Sequence, residues 1–181
     1  MNASLGSLVT SPALSRPDLL APPVARALAA LDEAASAAVS VAEIDPGAAD
    51  TAVFCERYGV SPAESANCVV ITGRRDGATR YAACLILATT RADVNNTARR
   101  ELDVRKASFA AVDDAVAETG MEYGGITPLG LPPGWPVLVD ALVAGAPAVV
   151  IGSGVRRSKL VLPGKLLASL PTARVIEALA R

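Results

Sequence analysis

Tyr123-Gly124-Gly125-Ile126-Thr127-Pro128-Leu129-Gly130 places three glycines and a proline within eight residues, just ahead of the strand-like run Pro136-Val137-Leu138-Val139-Asp140. A glycine pair tolerates positive φ and carries no side chain, so another group can approach its backbone closely. Proline fixes φ and stiffens the loop. Such a loop holds backbone N–H groups still, facing a phosphate, a carboxylate or a developing oxyanion. The same composition also suits a tight connection between two core elements, and the loop alone does not choose between these readings.

Working outward, residues 108–119 read as a helix stopped by Gly120. Strands are expected over 137–143, 148–151 and 159–162, with Gly152-Ser153-Gly154 turning between the last two. Pro163 then introduces a helix over 165–170, and 172–180 closes the chain. Upstream, Cys68-Val69-Val70-Ile71 and Tyr81-Ala82-Ala83-Cys84-Leu85-Ile86-Leu87 flank Asp76-Gly77, a hairpin signal that brings Cys68 and Cys84 near each other as core packing. Val24, Leu28, Leu31 and Ala35 recur by threes and fours behind Pro22-Pro23, the pattern of an amphipathic helix. A short strand over 39–44 precedes Asp45-Pro46-Gly47, and a helix over 48–58 ends at Gly59. Residues 90–102 are polar and helical in character. Residues 1–20, rich in Ser, Pro and Leu, read as a loosely ordered arm before a single domain over 21–181. Strands and helices mix without strict βαβ alternation, and neither GxGxxG after a first strand nor a Walker motif is present, which disfavours dinucleotide and P-loop folds.

Composition narrows the chemistry. The chain of 181 residues is 51% hydrophobic but only 3% aromatic, so an aliphatic core is expected. No apolar run reaches the roughly 18 to 20 residues that span a bilayer. The start, Met1-Asn2-Ala3-Ser4, lacks the basic and apolar regions of a secretory signal, and three cysteines without CxxC spacing read as reduced thiols, so a cytoplasmic protein with no membrane partner is expected. With no histidine there is no Ser-His-Asp or Cys-His pair and no His metal ligand. Charge is uneven: residues 18–56 hold seven acids and one base, whereas 141–176 hold five bases and no acid. That polarity suits either a face for a phosphate backbone or ordinary solvated surface.

The loop with its flanks, Thr119-Gly120 and Glu122 to Gly130, resembles the glycine loop of the YbaK/EbsC family, the prolyl-tRNA editing or aminoacyl-tRNA deacylase domain. Further pieces appear in the family's order: Cys68 to Ile71 as the first core strand, Arg105-Lys106-Ala107-Ser108-Phe109-Ala110, the strand ending in Asp140, Val150-Ile151-Gly152-Ser153-Gly154-Val155-Arg156, and Leu162-Pro163-Gly164. The resemblance spans about residues 25–175. It implies an α/β domain with a mixed, barrel-like sheet surrounded by helices. It implies trans-editing hydrolysis of a small amino acid ester on a mischarged tRNA, such as tRNA for proline. No cofactor or metal is required, since the ribose hydroxyl of the substrate and a bound water do much of the work; this agrees with the missing histidines. The implied partners are the acceptor end of an aminoacyl-tRNA and a prolyl-tRNA synthetase, with oligomeric state open.

The resemblance also implies site residues. Gly124 and Gly125 would present backbone N–H groups to the ester carbonyl, with Ile126, Thr127, Pro128 and Gly130 completing the loop. Thr127 would bond a ribose hydroxyl or its own loop backbone. Asp140 would orient a water or the substrate amine, or cap the next turn. Gly152, Ser153 and Gly154 would form the opposite wall, bind a phosphate, or simply turn the chain. Arg156, Arg157 and Lys159 are candidates for acceptor-stem phosphates, and Trp135 for stacking on the terminal adenine or for packing. One departure stands out: Asn67, or with a one-residue shift Ala66, occupies the place of the family's lysine on the first core strand, so the cation is absent there, with Lys106 as a substitute from elsewhere. Asn donates a hydrogen bond but carries no charge. Two alternatives therefore stand beside deacylation: a non-catalytic module that holds an aminoacyl or nucleotide-like ligand, and an enzyme for another small acyl ester or amide.

Overall fold

The computed structural model describes residues 5–181. Two sheets form its frame. The first has the order β1-β2-β8-β7, from strands β1 (Thr10–Pro12), β2 (Ser40–Glu43), β7 (Val149–Gly152) and β8 (Ser158–Leu162), all antiparallel. The second has the order β5-β3-β4-β6-β9, from β3 (Ala66–Arg75), β4 (Ala78–Leu87), β5 (Ala107–Phe109), β6 (Val137–Asp140) and β9 (Ala173–Ile176). Its β3–β4 and β3–β5 pairs are antiparallel, and its β4–β6 and β6–β9 pairs are parallel. A parallel bridge between Ser65 and Val150 ties the two sheets where β3 begins. The mixed, helix-flanked architecture expected from the family is what the chain adopts, as two bridged sheets rather than a closed barrel.

The hairpin is the clearest local case. Asp76 (φ 52°) and Gly77 (φ 81°) both take positive φ, which sets a two-residue turn and the register Arg75 opposite Ala78. Along β4 the side chains alternate between two cores: Leu85 and Leu87 join one, Cys84 and Ile86 the other. A strand buried on both faces reads as a continuous apolar run, as 82–87 does. Cys55, Cys68 and Cys84 are all free thiols.

Helices cover the sheets. The periodic stretch behind Pro22-Pro23 forms α1 (Pro22–Ala29), which buries Val24 and Leu28. It does not run on through Ala35: the Asp32 carboxylate accepts from the Ala35 amide and starts a separate helix, α2 (Glu33–Ala37). Helix α3 (Thr51–Tyr58) begins at an Asp50 cap and ends at Gly59 in the left-handed conformation. Residues 94–98 form a wide turn of π type running into α4 (Arg99–Glu101), and α5 (Val112–Thr119) stops at Gly120. Ser108 and Phe109, expected to open the helix over 108–119, instead join Ala107 in β5 at the edge of β3. Strand β6 ends at Asp140, where α6 (Ala141–Ala144) starts, and α7 (Gly164–Ala168) comes after Pro163.

The N-terminal segment departs from expectation over its described part. Residues 5–20 are not a loose arm: Leu5, Ala13, Leu19 and Leu20 are buried, and β1 extends the first sheet. Short apolar residues without helical or strand periodicity carried no signal that they would be buried against another part of the chain. Residues 1–4 of that segment lie outside the described residues.

Candidate functional site

A cleft of about 530 Å³ opens where the two sheets meet. Residues 66–70 of β3 form one wall, Ala49, Asp50 and Thr51 a second, and Phe109, Ala110, Val112 and Ala115 a third; Tyr123, Gly124, Ile126, Gly152, Arg156 and Lys159 complete it. Asn67 and Gly124 thus line one cleft.

The glycine loop lies directly on β7. A Cβ at Gly152 would collide with the carbonyl oxygen of Gly125 and sit 2.8 Å from that of Ile126. A Cβ at Gly125 would meet the Val155 backbone at 2.7 Å. The Gly125 carbonyl accepts from the Gly154 amide at 2.7 Å, and the Gly154 carbonyl accepts from the Glu122 amide at 2.9 Å. Gly125 is therefore a packing glycine that seats the loop, whereas Gly124 (φ 82°) carries the loop's exposed backbone into the cleft.

Asp50, Thr51, Asn67, Arg156 and Lys159 supply polar side chains to the cleft. The Thr51 hydroxyl donates to Asn67 Oδ1 at 2.6 Å, which fixes the amide and leaves both Nδ2 hydrogens without a partner among the described residues. Lys159 is only 7% exposed. Its Nζ donates to the Ala49 carbonyl at 3.0 Å and lies 5.4 Å from the centre of the Phe54 ring. Burial lowers its pKa to about 8, against the pull of Cys55 and Asp50 and with the push of Arg156. Arg156 donates from Nη1 to the Tyr123 carbonyl and from Nη2 to the Pro46 carbonyl, both at 3.1 Å, while its own amide donates to Glu122 Oε2 at 2.6 Å. Among the described residues neither cation is in an ion pair. Asp50, which caps α3 through Oδ1, is the one carboxylate on the cleft wall among them. Cys68 also lines the cleft instead of serving the core alone, and burial pushes its thiol pKa up. Phe109 and Tyr123, 63% and 61% exposed, stand on its walls.

Several expected site residues sit elsewhere. Asp140 is buried and structural: Oδ1 accepts from the Leu142 amide at 2.9 Å and Oδ2 from the Ala180 amide at 3.1 Å. Thr127 is fully buried, and its hydroxyl bonds neither its own loop nor any other described residue. Pro128 is buried, and Gly130 (φ 80°) packs against the Pro23 carbonyl. Ser153 bonds Ser158, and Gly154 packs on Ala21. Lys106 is exposed beside β5, off the cleft wall. Arg157 donates to the Asp18 carbonyl and ties down the N-terminal segment. Lys159 is too buried to meet a stem phosphate from outside. Trp135 stacks on Tyr81 with centroids 4.7 Å apart and is buried, so it packs rather than receiving a base. The sequence reading missed Asp50, Thr51, Phe109 and Tyr123. Only the aromatics carried a signal, by their scarcity and, for Tyr123, by its place against the glycine loop.

Fold and cleft define an α/β domain whose cleft is walled in part by backbone and bears the cations Arg156 and Lys159. The model of the aminoacyl-tRNA editing domain matches residues 45–170, and the chain belongs to that family. Among solved structures it is similar to a candidate trans-editing enzyme for prolyl tRNA synthetase, with 22% identity and TM-score 0.70 over 87% of this chain and 97% of that one. A hypothetical protein gives 21% identity and TM-score 0.71 over 82% and 95%. A candidate signal transduction protein of Marinobacter aquaeolei VT8 gives 19% identity and TM-score 0.55, over 86% of this chain but 30% of that one. No curated protein matches the chain.

Proposed function

We propose that this chain is a trans-acting deacylase that hydrolyses a small amino acid ester on a mischarged tRNA, such as tRNA for proline. The observation that carries the reading is that Gly124 and Asn67, from distant parts of the sequence, line one cleft in a chain of the editing-domain family. Water adds to the ester carbonyl, the bond to the ribose oxygen breaks, that oxygen takes one of the water's protons, the other passes to solvent, and the amino acid leaves as its carboxylate. The backbone at Gly124 and the Asn67 amide are the donors for the carbonyl oxygen as it becomes an oxyanion; one such donor is worth on the order of 3 kcal/mol. Asp50 matches the α-ammonium in charge. Phe109 and Tyr123 offer π-faces to the unpaired bases of the acceptor end, where stacking contributes about 1–3 kcal/mol per base. The ester's own ribose hydroxyl helps to activate the water, so neither histidine nor metal is needed. A prolyl-tRNA synthetase is the natural partner, and the cytoplasm the natural compartment.

Purified protein tested against a panel of mischarged tRNAs decides the matter. Amino acid release, lost in Asn67→Ala and Gly124→Val, is the expected result. Saturable binding without release on any member supports the second reading, a ligand-holding module. The engagement of Asn67 by Thr51, in a position where the family has a lysine, favours that reading as the alternative.

A further inference from the structure

Lys159 enters the cleft from the floor of the first sheet. In the β7–β8 register it lies opposite Gly152, the residue on which the Gly125 and Ile126 carbonyls rest. The lysine and the glycine loop are therefore neighbours across one strand. Taking an ammonium group out of water is costly, and proteins offset that cost with a counter-charge or several hydrogen bonds. Lys159 has little of either: it makes one hydrogen bond, to the Ala49 carbonyl, is in no ion pair among the described residues, and feels the Asp50 carboxylate only from beyond ion-pair distance. The groups that face it are the Phe54 ring and the Cys55 thiol from α3, Asp50 at the start of that helix, and Arg156 from the β7–β8 turn. Two of its three donors remain for something brought into the cleft.

We infer that Lys159 is a catalytic residue of this site, whose ammonium group meets the ester carbonyl oxygen of the bound aminoacyl end and stabilises the charge it gains. The inference rests on the deacylase reading above and adds the cation that Asn67 does not supply. Charge-assisted hydrogen bonds are about twice as strong as neutral ones, and a buried cation needs no reorganisation at the moment of reaction. Lys159→Met keeps an unbranched apolar side chain in its place and removes the charge; Lys159→Arg keeps the charge at any accessible pH.

The test measures kcat/KM on the mischarged panel and, separately, binding of 3′-amino-3′-deoxyadenosine acylated with alanine, an amide analogue that resists hydrolysis. Lys159→Met lowers kcat/KM about 100-fold or more and weakens the analogue at least about tenfold. Its melting temperature stays within about 4 °C of wild type. In the wild type, enzymatic kcat/KM, corrected for spontaneous ester hydrolysis, falls as pH rises through about 8, where Lys159 loses its proton. Measured on the N-acetylated aminoacyl-tRNA, which has no titrating α-ammonium, that fall disappears in Lys159→Arg. Turnover and analogue affinity of folded Lys159→Met within about twofold of wild type overturn the inference. If wild type releases no amino acid from any panel member, the deacylase reading fails, and the analogue alone judges Lys159: equal affinity in wild type and variant, or binding to neither, sinks it.

Discussion

Gly124 and Gly125 are adjacent, yet their substitution is expected to fail in different ways. At Gly124 a Cβ meets only the movable Nη1 of Arg156, at 2.7 Å, so Gly124→Ala costs mainly positive-φ strain, about 1 kcal/mol, and disturbs the cleft. At Gly125 the Cβ meets backbone, so Gly125→Ala shifts the loop off β7 and costs about 1–3 kcal/mol. Thermal melts of the two variants check the order. Thr127 offers a second case: a buried hydroxyl without a partner carries a desolvation penalty of about 1–3 kcal/mol, so Thr127→Val is expected to hold or raise the melting temperature. A clear drop would mean that the hydroxyl has a partner in solution. Lys159 has its own signature. Its folded pKa lies below the unfolded value, so the unfolded state binds more protons between those values. Folding stability therefore gains as pH rises from about 8 to about 10, and Lys159→Met abolishes the gain in pH-dependent denaturant melts.

Among the elements, the hairpin and the capped helices were legible because their signals are local. Asp76-Gly77 dictates a turn whatever surrounds it, and Gly59 and Gly120 stop helices by their own φ. Strand β5 was misread because three residues at a sheet edge hold no period, and their state is set by pairing with β3. The site was legible in part for the same reason. Gly124 and Asn67 belonged to ordered motifs. The burial of Lys159 depends on strand β2 and helix α3 packing around it, which no local pattern carries. Helix α3 also links stability to the cleft through Asp50. Asp50→Asn keeps a competent cap and Asp50→Ala loses one, so a difference of about 1 kcal/mol is expected between them in denaturant melts. Both variants are expected to lose preference for a free α-ammonium over its N-acetylated form, which competition assays with paired substrates read directly.

Over the whole molecule, the N-terminal segment belongs to the fold. Removing residues 1–20 uncovers the β2 edge and takes Ala13, Leu19 and Leu20 out of the core, so the shortened chain is expected to melt more than about 10 °C lower or to aggregate. The uneven charge noticed in the sequence resolves into two different uses in space: Arg157 anchors that segment, while Arg156 and Lys159 turn inward. A count of basic residues along the chain could not separate them, because only the β7–β8 turn decides which of the three faces the cleft.

The bridge between Ser65 and Val150 lies at the start of the strand that carries Asn67, with Gly152 and Lys159 on the other sheet. The two jaws of the cleft therefore stand on different sheets, joined by that bridge and by one core to which Val41 and Ile151 of the first sheet and Leu85 and Val137 of the second all contribute. Val150 is buried with Phe54 and Cys55, two residues from Gly152 on the cleft wall, so a change in its bulk is expected to shift that jaw. On the proposed deacylase reading, the size of acyl group admitted would then depend on packing at this bridge as well as on the residues of the wall.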